Sequence, residues 1–223
     1  MTFTIIPVVD LRGGRAVYAR SGAGRSGYRP LDTPLCPQPD PATAAGALTR
    51  AARSATLYLA DLDAICGSGD NAAAVTAIAG RHPQLELWVD AGIDSPRSLS
   101  GFRERCPGAV PVVGSESAGD PAWLLDAADF ILSLDFGAAG FVGDPRLLDR
   151  AELWPARVIV MSMSRVGMDG GPDLERLRRV RRRRPNVDYY AAGGVRSPED
   201  LERLEQLGAR GALVATALHQ GRL

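Results

Sequence analysis

The chain has 223 residues, of which 45% are hydrophobic and 23% are charged, a composition typical of a folded globular protein rather than a disordered chain. Its 26 Lys and Arg balance its 26 Asp and Glu, so the basic excess expected of a nucleic-acid-binding protein is missing. No apolar run approaches the ~20 residues of a membrane span. The N-terminus lacks the pattern of a secretory signal, and we therefore expect a cytoplasmic protein that does not bind membranes.

Three scattered cysteines, Cys36, Cys66 and Cys106, have no metal-ligand spacing. They are typical of free thiols in a reducing compartment. No cluster of His, Cys and Asp has the spacing of a metal site either, so the sequence predicts no metal.

Eight short apolar runs recur along the chain without the alternation of a half-exposed strand, a pattern typical of parallel strands buried on both faces. They are Ile5–Val9, Leu57–Ala60, Leu87–Val89, Val110–Val113, Phe130–Leu134, Val158–Met163, Asp188–Ala192 and Ala212–Ala215. Stretches with helical spacing lie between most of them, namely Ala42–Arg53, Ala72–Ala79, Pro96–Arg105, Pro121–Ala127, Leu174–Arg183 and Pro198–Leu207. Strands that alternate with helices predict βα units and a parallel sheet.

The two halves of the chain also resemble each other. Leu87–Leu99 aligns with Tyr189–Leu201, and the first strand, which ends at Asp10, aligns with the fifth, which ends at Asp135. Two matching sets of four βα units predict a closed (β/α)8 TIM barrel. We expect a single domain over residues 1–223, with half-barrels over about 1–127 and 128–223.

Two strand-end carboxylates are the candidate catalytic groups. Barrel enzymes carry their sites at the C-terminal ends of the strands, and Asp10 and Asp135 would face each other across that end. Such a pair can divide the work of general base and general acid. An Asp at a strand end can equally cap the next turn, but its recurrence in both halves favours the catalytic interpretation.

Glycines after the seventh strand predict a phosphate site. Gly193 and Gly194 stand between a buried strand and a helix start, where backbone N–H groups can approach an anion. Ala215 and Thr216 follow the eighth strand, and these two loops form the usual phosphate site of such barrels. A plain tight turn is the alternative interpretation.

The equivalent residues of the first half are Gly92, Gly114 and Ser115. Here Asp90 precedes the glycine, and a carboxylate repels a phosphate. If both sites are used, the ligand carries two phosphates or is long enough to span the mouth. The expected ligand is a small phosphorylated molecule, and the sequence identifies no protein partner.

Motifs along nearly the whole chain resemble one family. IIPVVDLRGG, ADLDA, GSES, FILSLD, SRVGMDGGPDL, AAGGVRSPEDL and GALVATALHQGRL occur in this order. They resemble the ribulose-phosphate-binding (β/α)8 barrels of histidine biosynthesis, which are phosphoribosylformimino-aminoimidazole-carboxamide ribotide isomerase and the cyclase of imidazole-glycerol-phosphate synthase.

The resemblance implies an Amadori rearrangement, an aldose-to-ketose isomerisation that needs no cofactor. Asp10 would remove the C2 proton of the sugar, and Asp135 would protonate the ring oxygen as the ring opens. Five further residues are candidates for substrate contacts, namely Arg20, Arg29, Ser162, Arg165 and Gly167.

The chain also departs from the ribotide isomerase. Met161 and Ser162 stand where that enzyme has a Thr-Asp pair, and a thioether is only a weak hydrogen-bond acceptor. The segments Tyr28–Leu31 and Arg165–Asp173 look more like a related group in methanogens and methylotrophs, which implies a setting in one-carbon cofactor metabolism.

Three functions remain open at this stage. The first is an isomerase or related lyase that acts on a phosphorylated aminosugar or small phosphate ester through Asp10 and Asp135. The second is the orthodox ribotide isomerase of histidine biosynthesis. The third is a non-catalytic barrel that keeps its phosphate sites and serves as a scaffold.

Overall fold

A computed structural model describes residues 3–19, 27–167 and 170–223. Its strands are β1 (Thr4–Arg12), β2 (Arg15–Ala19), β3 (Tyr28–Pro30), β4 (Thr56–Asp61), β5 (Glu86–Asp90), β6 (Val110–Gly114), β7 (Ile131–Gly137), β8 (Gly140–Val142), β9 (Arg157–Ser162), β10 (Asp188–Ala192) and β11 (Gly211–Val214). All except β2, β3 and β8 form one ring of parallel strands in chain order, which the pairing of Thr4 with Gly211 closes. The predicted eight-stranded barrel is confirmed.

The barrel strands are buried on both faces, which explains their continuous apolar runs. Ile6, Trp88 and Ile131 belong to a cluster inside the ring. Leu57 and Leu59 belong to the larger cluster between the ring and the surrounding helices. Because successive side chains of a strand point to opposite faces, one strand supplies both clusters.

Among the described residues, five helices of nine or more residues cover the outside of the ring where helical stretches were predicted, whereas three helices of four residues were not predicted. One of these short helices, Leu62–Ile65, lies at the mouth of the ring. The helices are α1 (Pro41–Ala52), α2 (Leu62–Ile65), α3 (Ala72–Arg81), α4 (Pro96–Arg105), α5 (Arg146–Asp149), α6 (Leu174–Arg183), α7 (Pro198–Gln206) and α8 (Thr216–His219). Ser95 caps α4, because its side chain accepts a hydrogen bond from the Ser98 N–H and the Ser98 hydroxyl accepts one from the Ser95 N–H.

The helix predicted over Pro121–Ala127 is wrong. The structure has a 3-10 helix over Pro121–Leu125 instead, which Asp120 caps at the Ala122 N–H. Its buried residues are Pro121 and Leu124, so the segment buries one side chain per three-residue turn.

Antiparallel strands extend the two barrel strands that carry the candidate catalytic aspartates. β2 pairs with the end of β1, where Asp10 lies opposite Val17. β8 pairs with the end of β7, where Asp135 lies opposite Val142. Each aspartate is therefore held in a sheet that continues past the rim of the barrel. Among the described helices, none combines the length and apolar character that crossing a membrane requires.

Candidate active site

A cavity of about 230 Å³ opens at the C-terminal ends of the barrel strands. All eight barrel strands contribute to its wall, either with their last residues or with the loops that follow them. Because the strands are parallel, residues that are far apart in sequence meet at this one rim. Asp10 and Asp135 both line the cavity, and they come from β1 and β7, which lie on opposite sides of the ring.

Asp10 lines the cavity near the end of β1. In the part of the chain that the structure describes, no N–H or O–H group donates to its carboxylate. Its position deep in the mouth raises its pKa from 3.8 to about 7, because burial disfavours the charged form. A carboxylate with this pKa can accept a proton near neutral pH.

Asp135 is buried and firmly held. The Ser133 hydroxyl donates to its Oδ1 at 2.7 Å, and the Glu116 N–H donates to its Oδ2 at 3.3 Å. The Ser115 Oγ lies 3.0 Å from the same Oδ2 and accepts the backbone N–H of Asp135 at 2.8 Å. Burial raises the pKa of Asp135 to about 6, against the lowering effect of these donors. The group can therefore carry a proton in a fixed direction close to neutral pH.

Asp90 is a third carboxylate of the cavity, and sequence reasoning missed it as a site residue. It lies at the end of β5, accepts the Gly92 N–H at 3.1 Å and has the Tyr58 hydroxyl at 3.4 Å. Burial first, and then the charge of Asp135, raises its pKa to about 7. The signal for it was the same as for the other two, an Asp directly after a buried apolar run.

The lining also contains Glu116, Tyr28 and two arginines, Arg196 and Arg222. Arg196 binds Asp200 through its Nε at 2.9 Å. Met161 lies opposite Asp135 in the pairing of β7 with β9 and lines the cavity. Within the described residues, no group of three or more His, Cys, Asp or Glu side chains is arranged to hold a metal ion.

The predicted phosphate residues of the second half all line the cavity, namely Gly193, Gly194, Ala215 and Thr216. Both glycines have positive φ, at +93° and +89°. A Cβ on Gly193 would stand 2.4 Å from the carbonyl oxygen of Ser162, and one on Gly194 would stand 2.3 Å from that of Gly171. Glycine is therefore required at both positions by the neighbouring backbone.

The predicted phosphate residues of the first half lie elsewhere. Gly92, Gly114 and Ser115 are not among the described residues that line the cavity. The Gly92 N–H is used by Asp90, and the Ser115 Oγ lies 2.7 Å from the Val142 carbonyl oxygen as well as near Asp135. The two predicted sites therefore have different surroundings.

Of the five predicted substrate contacts, the structure brings Gly167 to the cavity. Ser162 is buried behind Gly193. The Arg165 guanidinium donates to the Gly170 and Gly171 carbonyl oxygens at 3.0 and 2.8 Å. Arg29 is exposed on β3. Arg20 lies outside the described residues.

A second chamber of about 560 Å³ adjoins the cavity and shares Asp10 with it. Tyr18, Thr33 and His219 are among its walls. The His219 Nδ1 lies 3.2 Å from the Thr33 hydroxyl, and burial lowers the pKa of the imidazole. The open space at the barrel mouth therefore extends beyond the first cavity on the side of β2 and α8.

Comparison with known proteins agrees with this architecture. The sequence model of the family described as "histidine biosynthesis protein" matches residues 4–136 and 148–223. The chain belongs to this family.

Two groups of relatives stand out. An uncharacterized protein of Methanocaldococcus jannaschii is 32% identical over 221 residues, which are 97% of this chain and 93% of that protein. A protein of Thermus thermophilus is 31% identical over 241 residues, which cover 98% of this chain and 95% of that protein. A protein of Alkalilimnicola ehrlichii is 29% identical, with 98% and 92% covered. The last two are named 1-(5-phosphoribosyl)-5-((5-phosphoribosylamino)methylideneamino) imidazole-4-carboxamide isomerase, so the comparisons support an isomerase in general.

Proposed function

We propose that the protein is an isomerase that converts an aldose to a ketose in a phosphorylated aminosugar or small phosphate ester. The observation that carries the proposal is the pair Asp10 and Asp135. These two carboxylates line one cavity from opposite strands of the ring, and only Asp135 is held by hydrogen bonds of described residues. Two groups in such different environments are suited to different proton-transfer roles.

The two carboxylates divide the reaction between them. Asp135, in its protonated form, gives a proton to the ring oxygen as the C1–O bond breaks, and a Schiff base with the amino nitrogen results. Asp10, in its ionised form, removes the C2 proton, so that the electron pair moves to form an enaminol. Asp10 then returns its proton to C1 while the C2 hydroxyl gives up its own proton, which forms the C2 carbonyl of the ketose and restores the proton that Asp135 lost. No net electrons are gained or lost. The reaction therefore needs no redox cofactor.

The roles follow from the two environments. Asp10 accepts no hydrogen bond from described residues, so its negative charge is poorly stabilised and the group is a stronger base than an exposed carboxylate. Asp135 is oriented by Ser133 and Ser115, so its proton points in a constant direction. Such positioning of reactive groups accounts for a large share of enzymatic rate enhancement.

The phosphate group of the substrate binds at the loop of Gly193 and Gly194, with Thr216 beside it. These residues line the cavity at the ends of β10 and β11. Both glycines bring the backbone close to the cavity without a side chain between it and the ligand. A phosphate fixed at this end holds the sugar between the two aspartates.

Solvent isotope incorporation tests the proposal. The phosphorylated metabolites that accumulate in a deletion strain are incubated with the purified protein in D2O. We expect the wild-type protein to incorporate one deuterium per product molecule. The variants Asp10→Asn and Asp135→Asn should show neither turnover nor deuterium incorporation. Asp126→Asn is the matched control, because Asp126 is exposed and does not line the cavity. Full turnover in both active-site variants would refute the catalytic assignment.

A second candidate is the ribotide isomerase reaction itself, and the names of the relatives at 29% and 31% identity favour it. Expression of the chain in a histidine auxotroph that lacks this isomerase separates the two. Growth without histidine would favour the ribotide isomerase. No growth, with a stable folded protein in the cells, would favour a different substrate.

The metabolic setting that we propose is one-carbon cofactor metabolism. The segments Tyr28–Leu31 and Arg165–Asp173, which resemble a related group in methanogens and methylotrophs, support this setting. Metabolite profiling of a deletion strain tests this setting. A block in histidine synthesis alone would contradict it.

A further inference from the structure

The two ends of the cavity differ in charge. At the β10 and β11 end, the wall contains Gly193, Gly194 and Arg196. At the opposite end, the β5 strand and the loop after β6 contribute Asp90 and Glu116. In the ring, β10 lies four positions from β5 and β11 lies four positions from β6, which is the largest separation that eight strands allow.

The backbone groups that could hold an anion at the acidic end are already occupied. Asp90 accepts the Gly92 N–H at 3.1 Å. Asp135 accepts the Glu116 N–H at 3.3 Å. Asp90 therefore holds the same N–H that a phosphate would use in the first-half loop.

The two carboxylates also flank the position where a phosphate would approach the strand end. A Cβ on Gly114 would stand 3.4 Å from the Asp135 Oδ2 and 3.5 Å from the Asp90 Oδ2. The Asp90 Oδ2 is also within 3.4 Å of the Tyr58 hydroxyl. A dianion at this end would lie against negative charge in a partly buried cavity, where charges interact more strongly than in water.

We infer that the substrate of this cavity is a monophosphate whose far end carries a positively charged nitrogen group, which lies against Asp90 and Glu116. The inference rests on the proposed function, because the glycine loop must hold the single phosphate. It excludes a bisphosphate, in which the second phosphate would meet the acidic end. Asp90 is then the residue that determines specificity.

Two matched pairs of sugar phosphates test the inference by equilibrium binding to the wild-type protein at pH 7.5, above the pKa of about 7 to which burial raises Asp90. Glucosamine 6-phosphate differs from glucose 6-phosphate by an amine in place of a hydroxyl. Fructose 1,6-bisphosphate differs from fructose 6-phosphate by a second phosphate. We expect the amine to tighten binding about tenfold and the second phosphate to weaken it about tenfold, by attraction and repulsion at the acidic end.

Each pair of ligands gives a ratio of dissociation constants. Asp90→Asn should bring both ratios close to one, because the amide keeps an acceptor for the Gly92 N–H and removes the charge. Glu116→Gln is a second variant that should reduce both ratios without touching Asp90. Asp126→Asn, an exposed site that does not line the cavity, should leave both ratios as in the wild type.

The outcomes separate this inference from the proposed function. Tighter binding of the bisphosphate than of fructose 6-phosphate would overturn the inference and leave the glycine-loop phosphate site intact. Equal binding of the two hexose 6-phosphates that differ in the amine would also overturn it. Failure of all four ligands to bind would refute the phosphate site, and the inference would fall with it. None of these outcomes requires turnover, so they do not depend on the roles of Asp10 and Asp135.

Discussion

Replacement of Asp10 by Asn should make the protein more stable at neutral and alkaline pH. In the folded protein, the Asp10 carboxylate lies deep in the barrel mouth and accepts no hydrogen bond from described residues. Ionisation of such a group costs free energy that the unfolded chain does not pay. Asn has a similar shape and no charge, so the variant removes that cost.

The size of the effect follows from the two pKa values. In the unfolded chain the carboxyl loses its proton near pH 3.8, whereas burial raises its pKa to about 7 in the folded protein. Between these values the folded state binds more protons, so the free energy of unfolding falls as the pH rises. At about 1.4 kcal/mol per pH unit, the loss reaches about 4 kcal/mol at pH 8. Desolvation of the Asn amide offsets part of the gain, and we expect about 2–4 kcal/mol.

Urea denaturation of both proteins between pH 4 and pH 8 measures this difference. We expect the stability advantage of Asp10→Asn to grow from pH 4 to pH 7 and then to stay constant. Asp126→Asn is the control, and as an exposed substitution it should stay within about 0.5 kcal/mol of the wild type at every pH. An advantage that does not change with pH, or a variant less stable than the wild type at pH 8, would refute the reasoning.

Three further predictions concern the site and the scaffold. The kcat/KM of the isomerase should peak at about pH 6.5 and fall on both sides, because the base must be ionised and the acid protonated. Gly194→Ala should lower the free energy of unfolding by more than about 2 kcal/mol, because φ is +89° and the Cβ would stand 2.3 Å from a carbonyl oxygen. Asp61→Ala should lower the free energy of unfolding by about 3 kcal/mol. The buried Asn71 N–H, which donates to Asp61 at 2.7 Å, would lose its acceptor, and the Asn71 side-chain amide, which donates to Asp61 at 2.6 Å, would keep only the Asp63 carboxylate at 2.9 Å as a close acceptor.

Each of these has a contradicting result. A flat pH profile between 5 and 8 would contradict the two proton-transfer roles. Gly80→Ala in α3 is the control for Gly194→Ala, because its Cβ would meet nothing within 4 Å. This control should raise the free energy of unfolding by about 0.5–1 kcal/mol. Equal melting temperatures for the two variants would refute the steric argument. An Asp61→Ala protein as stable as the wild type would show that water replaces the carboxylate.

Local pattern was sufficient for the barrel and for part of its mouth. The apolar runs and the helical stretches between them predicted all eight barrel strands. A strand that is buried on both faces is a continuous apolar run, and this run can be recognised without knowing which strands pair with it. The equivalent positions of Asp10 and Asp135 in the two halves placed them at one rim, since every strand of a parallel ring ends at the same face.

Local pattern failed where the outcome depended on contacts between segments distant in sequence. Pro121–Leu125 has the composition of an α-helix, but it forms a 3-10 helix in which Pro121 and Leu124 are buried and Trp123 is half-buried against the core. Arg165 was a candidate for substrate contacts, and in the structure it binds the Gly170 and Gly171 carbonyl oxygens. Asp90 was taken only as a charge that would repel a phosphate, and it lines the cavity with Asp135.

The sequence by itself determined the ring, its polarity and the strand ends that carry carboxylates, because these follow from the burial and order of short segments. Only the tertiary structure decided which backbone N–H groups remain available to a ligand. Asp90 accepts the Gly92 N–H, and the glycines of the other half pack against backbone from β9 and the loop before α6. An N–H group donates to the acceptor that reaches it, and the folded arrangement of the loops decides which acceptor that is.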